Sequence, residues 1–366
     1  MRTLRAFILL LALVPAVALA QTEQPDEQAV SAGRALQLPD ISVIGNVLGN
    51  FTTNKSFTDR NNLNLNELEI AFQSGVYPGV RADAIVSMEK EESYQASLEE
   101  GYLTISELGA RGLGARLGKL RAPFGKVNPI HPHHRPYADQ PAVVTAFLGE
   151  DGLFIQGGSL TYLFPSTTTF INFEGGRFRV GGQSEDDGTE TEAEPPGIDD
   201  FVSIGRLSLS RAVNELSEVE LGLSALHGSG VDPLNASNRD HVTLTGIDLS
   251  YQRWPTAFTK LLLRSEYMMH RSNPGGKSDT RSGYYLLATY KPGRYWEYGT
   301  RYDNTQFPAP TTGKETGWTT FVTKYLNEST YLRGQFKHSD APSTGSANEV
   351  FLQMVWGIGP HSHALQ

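Results

Sequence analysis

The chain has 366 residues and carries 31 Lys and Arg against 40 Asp and Glu, a formal net charge of −9, which argues against a nucleic-acid partner. It has no cysteine, so disulfides, thiol nucleophiles and cysteine-ligated metals are excluded. Its 39% hydrophobic fraction, with 37 Gly, 17 Phe, 15 Tyr and 4 Trp, is lean in aliphatics for a soluble two-domain enzyme and suits strands with one apolar and one polar side.

Residues 1–20 read as a secretory signal: Arg2 and Arg5 form the basic start, Phe7 to Val14 the apolar core, and Ala18-Leu19-Ala20 the cleavage site. Residues 21–40 then form a short periplasmic segment. No later stretch reaches the roughly eighteen consecutive apolar residues of a transmembrane helix.

From Ile41 onward the dominant period is two. LSEVELGLSALH (216–227) sets Val219, Leu221, Leu223 and Ala225 against Glu218, Glu220, Gly222 and Ser224. Sixteen such segments are predicted, near 41–51, 63–74, 80–90, 94–108, 113–122, 152–163, 167–175, 200–210, 216–228, 241–253, 256–269, 282–291, 295–304, 316–326, 330–339 and 347–357. Even-numbered connections such as VYPG (76–79), WP (254–255) and NES (327–329) are tight, whereas most odd-numbered ones, such as SGVDPLNASNR (229–239) and GRFRVGGQSEDDGTETEAEPPGIDD (176–200) with its acidic stretch at 185–194, are long and polar; the third is the short exception. An even number of antiparallel strands with alternating short and long connections is what an outer-membrane barrel requires. The expected fold is all-β: a closed antiparallel transmembrane β-barrel over 41–357, with short periplasmic turns, long external loops and a tail over 358–366.

Charges cost roughly 2–4 kcal/mol for Arg or Lys on a lipid face near the midplane, so charged strand residues are expected inside. That rule assigns Arg81, Asp83, Arg264, Glu266, Glu297, Arg301, Asp303, Arg333 and Lys337 to the pore wall. Tyr251, Trp254, Tyr290, Tyr295, Trp296, Tyr325 and Tyr331 lie near even turns and are expected to form a periplasmic aromatic girdle. A barrel of sixteen strands is wide enough for an aqueous channel unless a loop enters it.

RAPFGKVNPIHPHHRPYADQP (121–141) opens the third external loop, predicted to turn inward over 123–151. Prolines at 123, 129, 132, 136 and 141 let it lie against the wall without competing for ladder hydrogen bonds. Arg121, Lys126, His131, His133, His134 and Arg135 would then form a donor-rich, anion-attracting constriction. The alternatives are that these histidines only hold the loop in place, or that they bind metal. His361 and His363 are weak metal candidates in the tail, since two ligands make a poor site.

LEEGYLTI (98–105), LGKLRAPFGKVNPIHPHHRPYADQP (117–141), FLGEDGLFIQGGSLTYLFP (147–165) and NEVFLQMVWGIGPHSHALQ (348–366) resemble the phosphate-selective porin O/P-like group of outer-membrane proteins. The resemblance implies a sixteen-stranded passive diffusion channel for small hydrophilic solutes or inorganic ions, set in outer-membrane lipid and forming a homotrimer. No cofactor is expected. A non-conducting structural barrel and a metal-binding outer-membrane receptor are the other readings. No enzyme is expected: HGSG (227–230) pairs a His with a Ser, but no G-x-S-x-G elbow, H-E-x-x-H or phosphate-binding glycine loop occurs.

Overall fold

The computed structural model describes residues 39–55, 60–90, 94–180, 197–341 and 345–360. The signal at 1–20, most of the 21–40 segment, the acidic stretch at 185–194 and the tail residues His361 and His363 lie outside the described residues.

The period-two segments form sixteen strands. In chain order they begin with β1 (Asp40–Thr52), β2 (Asn62–Tyr77), β3 (Val80–Lys90), β4 (Tyr94–Ile105) and β5 (Leu113–Arg121). Next come β6 (Phe154–Leu163), β7 (Phe170–Val180), β8 (Phe201–Asn214), β9 (Ser217–Asp232) and β10 (Asn235–Thr256). The last six are β11 (Thr259–Ser272), β12 (Asp279–Lys291), β13 (Trp296–Gln306), β14 (Lys314–Tyr325), β15 (Tyr331–Ala341) and β16 (Gly345–Ile358). Each strand pairs antiparallel with its neighbour in sequence, and β1 closes on β16 with Asn46 opposite Val355 and Asn50 opposite Phe351. Closure gives every strand a partner on both sides and leaves no unpaired edge.

Local chemistry sets the tight ends. Between β2 and β3, Pro78 fixes its own φ, and Gly79 takes φ 75°, a conformation that favours glycine, so Tyr77 can pair directly with Val80. The loop-length pattern is less regular than expected. SGVDPLNASNR does not form a long loop, because β9 and β10 extend through most of it and leave only Pro233 and Leu234 between them.

Large apolar side chains such as Ile41, Phe72, Leu160, Leu223, Leu286 and Leu352 point outward and are exposed. Apolar surface left in water costs roughly 25 cal/mol per Å², so this outward belt needs an apolar medium. The opposite face of the wall carries Glu69, Asp83, Glu174, Asp248, Arg301 and Arg333, all buried inside the barrel. Two girdle assignments need correcting. Tyr325 and Tyr331 point into the lumen, because they share the phase of inward Phe321, Thr323 and Arg333; the Tyr331 hydroxyl donates to the His133 carbonyl at 2.7 Å. Tyr290, Tyr295 and Trp296 are exposed, as a girdle requires.

On β7 to β11 the polarity of the two faces inverts towards the loop end. Near the turn end, Leu207, Leu221 and Leu249 point outward while Arg206, Glu220 and Ser250 point inward. Near the loop end, Phe178, Val202, Ile204, Leu226, Val242 and Leu244 point inward and are buried, while Arg177, Ser203, His227, His241 and Arg271 point outward and are exposed. The register aligns the inversion across strands, with Arg177 opposite Ser203, Ser203 opposite His227, His227 opposite Thr243 and Thr243 opposite Arg271. This part of the wall has the pattern of a water-exposed sheet with an apolar layer packed behind it.

That layer is supplied by the segment between β5 and β6. It carries a 3-10 turn, Pro132–His134, and one helix, α1 (Ala142–Leu148). Phe124, Val127, Tyr137, Val143, Val144, Phe147 and Leu148 from this segment join Phe178, Val202, Leu226, Val242, Leu244, Met268 and Phe321 from the wall in one buried cluster.

Candidate functional site: the lumen and its inward loop

The third loop, residues 122–153, is anchored by short side chains and backbone. Gly125 takes φ 66° and lies so close to Glu266 that a Cβ there would collide with the carboxylate. The tight approach brings the Gly125 N–H to the Ser224 hydroxyl at 3.1 Å and the Lys126 N–H to Glu266 at 3.2 Å. Asn128 holds the two stems together: its amide donates to the Ala122 and Leu153 carbonyls at 2.9 and 3.2 Å and accepts from the Leu153 N–H at 2.8 Å. Across the lumen, the Ala138 N–H donates to Gln335 at 2.8 Å and the Ala142 N–H to Asp303 at 3.2 Å. The loop therefore touches β9, β11, β13 and β15, far from the strands that carry it.

The six residues expected at a constriction lie along this path, and most are engaged by carboxylates of the wall. Arg121 ends β5, buried, with its guanidinium on Glu99 and its N–H donating to Glu100 at 2.6 Å. Lys126 reaches Glu220 at 2.7 Å. His131 sits 3.0 Å from Glu69, 3.5 Å from Glu99 and 3.6 Å from Glu100. His133 is buried 3.7 Å from Glu69, with its ring centroid 4.4 Å from that of exposed His134. Arg135 is buried and folds back within the loop, donating to the Ile130 carbonyl at 3.0 Å and to Gln140 at 2.7 Å. Burial opposes a charge on His131, but Glu99, Glu100 and Glu69 outweigh it and push the imidazole up to about 10.

The wall residues fall into pairs as well. Arg81 meets Asp83 at 2.9 Å. Arg301, fully buried, bridges Asp303 and the loop's Asp139, each at 2.7 Å, and its guanidinium lies 4.4 Å from the Tyr137 ring centroid. Lys337 lies 3.3 Å from Asp139 and 3.5 Å from Glu315. Burial raises the Asp139 carboxyl, but Arg301 and Lys337 reverse this and hold it at about 2. Glu297 accepts from the Tyr325 hydroxyl at 2.5 Å, and Glu266 faces the Tyr285 hydroxyl at 3.5 Å. Arg264 and Arg333 donate to neutral acceptors: Arg264 to Ser250 at 3.0 Å, and Arg333 to Thr323 at 3.0 Å and Gln353 at 2.6 Å.

Several partners were not singled out from the sequence: Glu67, Glu69, Glu99 and Glu100 opposite the histidines, Asp139 within the loop, and the cross-strand pairs Arg116–Glu174 and Arg206–Asp248, both at 2.7 Å. For Glu67 and Glu69 the signal was present. NELEI (66–70) places Glu67 and Glu69 on one face at strand spacing, and the charge rule puts that face inside. His227 of HGSG points outward, with Nδ1 3.0 Å from the Thr243 hydroxyl and its ring stacked on His241.

No family model matches the chain. A protein of Aquifex aeolicus (strain VF5), described as uncharacterised, is 26% identical over 266 residues, which cover 67% of this chain and 55% of that protein. The chain thus spans little more than half the length of this relative. Among solved structures, an anion-selective porin from Comamonas acidovorans is similar with TM-score 0.56 and 13% identity over 87% of this chain and 100% of that one. OmpT, an outer membrane protein of Vibrio cholerae in a trimer form, gives 0.55 and 10% over 88% and 100%. The outer membrane channel DcaP of Acinetobacter baumannii gives 0.53 and 11% over 87% and 97%. At these identities the likeness shows the fold, a closed sixteen-strand antiparallel barrel of the outer-membrane porin type.

Proposed function

We propose that the chain is an outer-membrane porin-like channel through which small hydrophilic solutes or inorganic ions diffuse passively. The observation that carries this reading is the lumen: a closed sixteen-strand wall with an apolar outer belt, lined inside by ionisable side chains and narrowed by an inward loop. The turn ends face the periplasm, the loop ends face outside, and export uses the signal at residues 1–20. The mechanism is diffusion, with selectivity set by width and by fixed charges at close quarters; no catalytic step is assigned.

The anion preference proposed for this channel rests on Arg264 and Arg333. The loop cations Arg121 and Lys126 have their fields offset by Glu99 and Glu220, whereas the two wall arginines donate to neutral groups. The Comamonas neighbour, named as anion-selective, is consistent with this preference, and the trimer form of the Vibrio protein with a homotrimer. A phosphate-selective porin O/P-like specificity is the finer reading of residues 98–165. Reversal potentials in a potassium chloride gradient test the preference: the wild type should favour chloride, and Arg264→Gln with Arg333→Gln should shift selectivity towards potassium. An unchanged potential in the double variant removes these two residues from the selectivity account.

One observation favours a second reading, a non-conducting barrel. The third loop builds an apolar cluster inside the wall and contacts strands on several sides of the lumen. Conductance of the folded protein separates the two readings.

A further inference from the structure

Where the third loop meets β2 and β4, Glu67, Glu69, Glu99, Glu100, His131, His133, Arg121 and Arg135 come together, each no more than 7% exposed. Four carboxylates against two guanidiniums leave two negative charges inside the protein. Protons on His131, His133 or a carboxylate offset that charge when no ion is bound, and one divalent cation would displace them and offset it instead.

The donor geometry fits the second arrangement. A tetrahedral ion with bonds of about 2.0–2.2 Å has ligand atoms roughly 3.3–3.6 Å apart. His131 Nδ1 is 3.0 Å from Glu69 Oε2 and 3.5 Å from Glu99 Oε1, and His133 Nδ1 is 3.7 Å from the same Glu69 oxygen. Two triads, Glu69–Glu99–His131 and Glu67–Glu69–His133, each have donor atoms within 4.8 Å of one another and share Glu69. Glu69 Oε1 and Glu99 Oε2 are buried and accept no hydrogen bond among the described residues, which is costly for a carboxylate without a cation. Arg121 takes Oε1 of Glu99, with Nε at 3.1 Å, and its N–H fixes Glu100 at 2.6 Å, which leaves Glu99 Oε2 as the carboxylate oxygen open to an ion.

We propose that the Glu69–Glu99–His131 triad is a structural site for one divalent ion of the zinc class, with His133 beside it, 3.7 Å from the shared Glu69. The mixed imidazole and carboxylate set suits zinc or a neighbouring transition metal better than the all-oxygen shells of calcium or magnesium. The ion clamps the third loop to β2 and β4.

The test uses the mature chain without a histidine tag, folded in detergent, dialysed to strip loose metal and titrated with zinc chloride while bound zinc is counted. One tightly bound zinc per chain is expected. It should be retained in His361→Gln/His363→Gln and weakened by about 100-fold or more in His131→Gln/His133→Gln. If the latter variant fails to fold, the tail variant decides: zinc should raise its unfolding temperature and a chelator should lower it. A folded wild type that binds no tight zinc overturns the site. So does zinc lost with the tail histidines, or zinc that leaves the tail variant's stability unchanged.

Discussion

Asp139 shows what a single side chain does here. It ties the third loop to the far wall through Arg301 and Lys337, and these cations hold its carboxyl at about 2, below the ordinary 3.8. A depressed carboxyl adds stability that is present above its unfolded value and is lost as pH falls through its folded one. The shift corresponds to about 2 kcal/mol of loop docking near neutral pH. Asp139→Asn should therefore destabilise the barrel by about that amount at pH 6, and the gap to wild type should close as pH falls from about 4 to 2. Urea unfolding of both proteins across that window checks it; a gap independent of pH would remove Asp139's charge from the account. Gly125 makes a steric case. At φ 66° against Glu266, Gly125→Ala should cost at least about 1 kcal/mol and loosen the loop, whereas Gly293→Ala, in open space at a turn, should cost less.

At the level of elements, the inversion on β7 to β11 governs what each outward position tolerates. Leu223→Arg places a charge on the apolar belt and should cost roughly 2–4 kcal/mol in lipid vesicles. Ser203→Arg, outward but beyond the inversion, should cost under about 1 kcal/mol. Leu226→Ala empties a buried contact with the third loop and should cost roughly 2–5 kcal/mol. Equal costs for the two arginine variants would mean that the belt does not end where the pattern flips. This inversion also explains what could be read from the sequence and what could not. The strands were legible because alternation carries the signal on its own, and the sixteen segments lie close to the observed ones. Which side faced inward near the loop end was not, because Val202, Ile204 and Leu226 are apolar for the sake of a loop far away in sequence. The β9–β10 connection was misread for a related reason: SGVDPLNASNR has turn composition, yet ladder pairing carries both strands into it. Inward placement of the charged wall residues followed from desolvation cost. Their partners did not, because pairing depends on register between strands.

For the whole molecule, the third loop is both a structural core and the narrowest part of the proposed route. It is fixed on one side by Asp139 with Arg301 and Lys337, on another by Lys126 with Glu220, and on a third by the histidine and glutamate cluster. With loop and wall charges largely matched, a porin of this design would have modest ion preference and a conductance set by the gap beside the loop. Single-channel recording of the folded full-length barrel in a planar bilayer tests the channel reading most directly. Discrete ohmic steps are expected, and they should grow when residues 129–147 are replaced by a short glycine–serine linker. Correctly folded wild type that inserts and passes no current, while the loop-shortened variant conducts, would contradict it and make the third loop a plug.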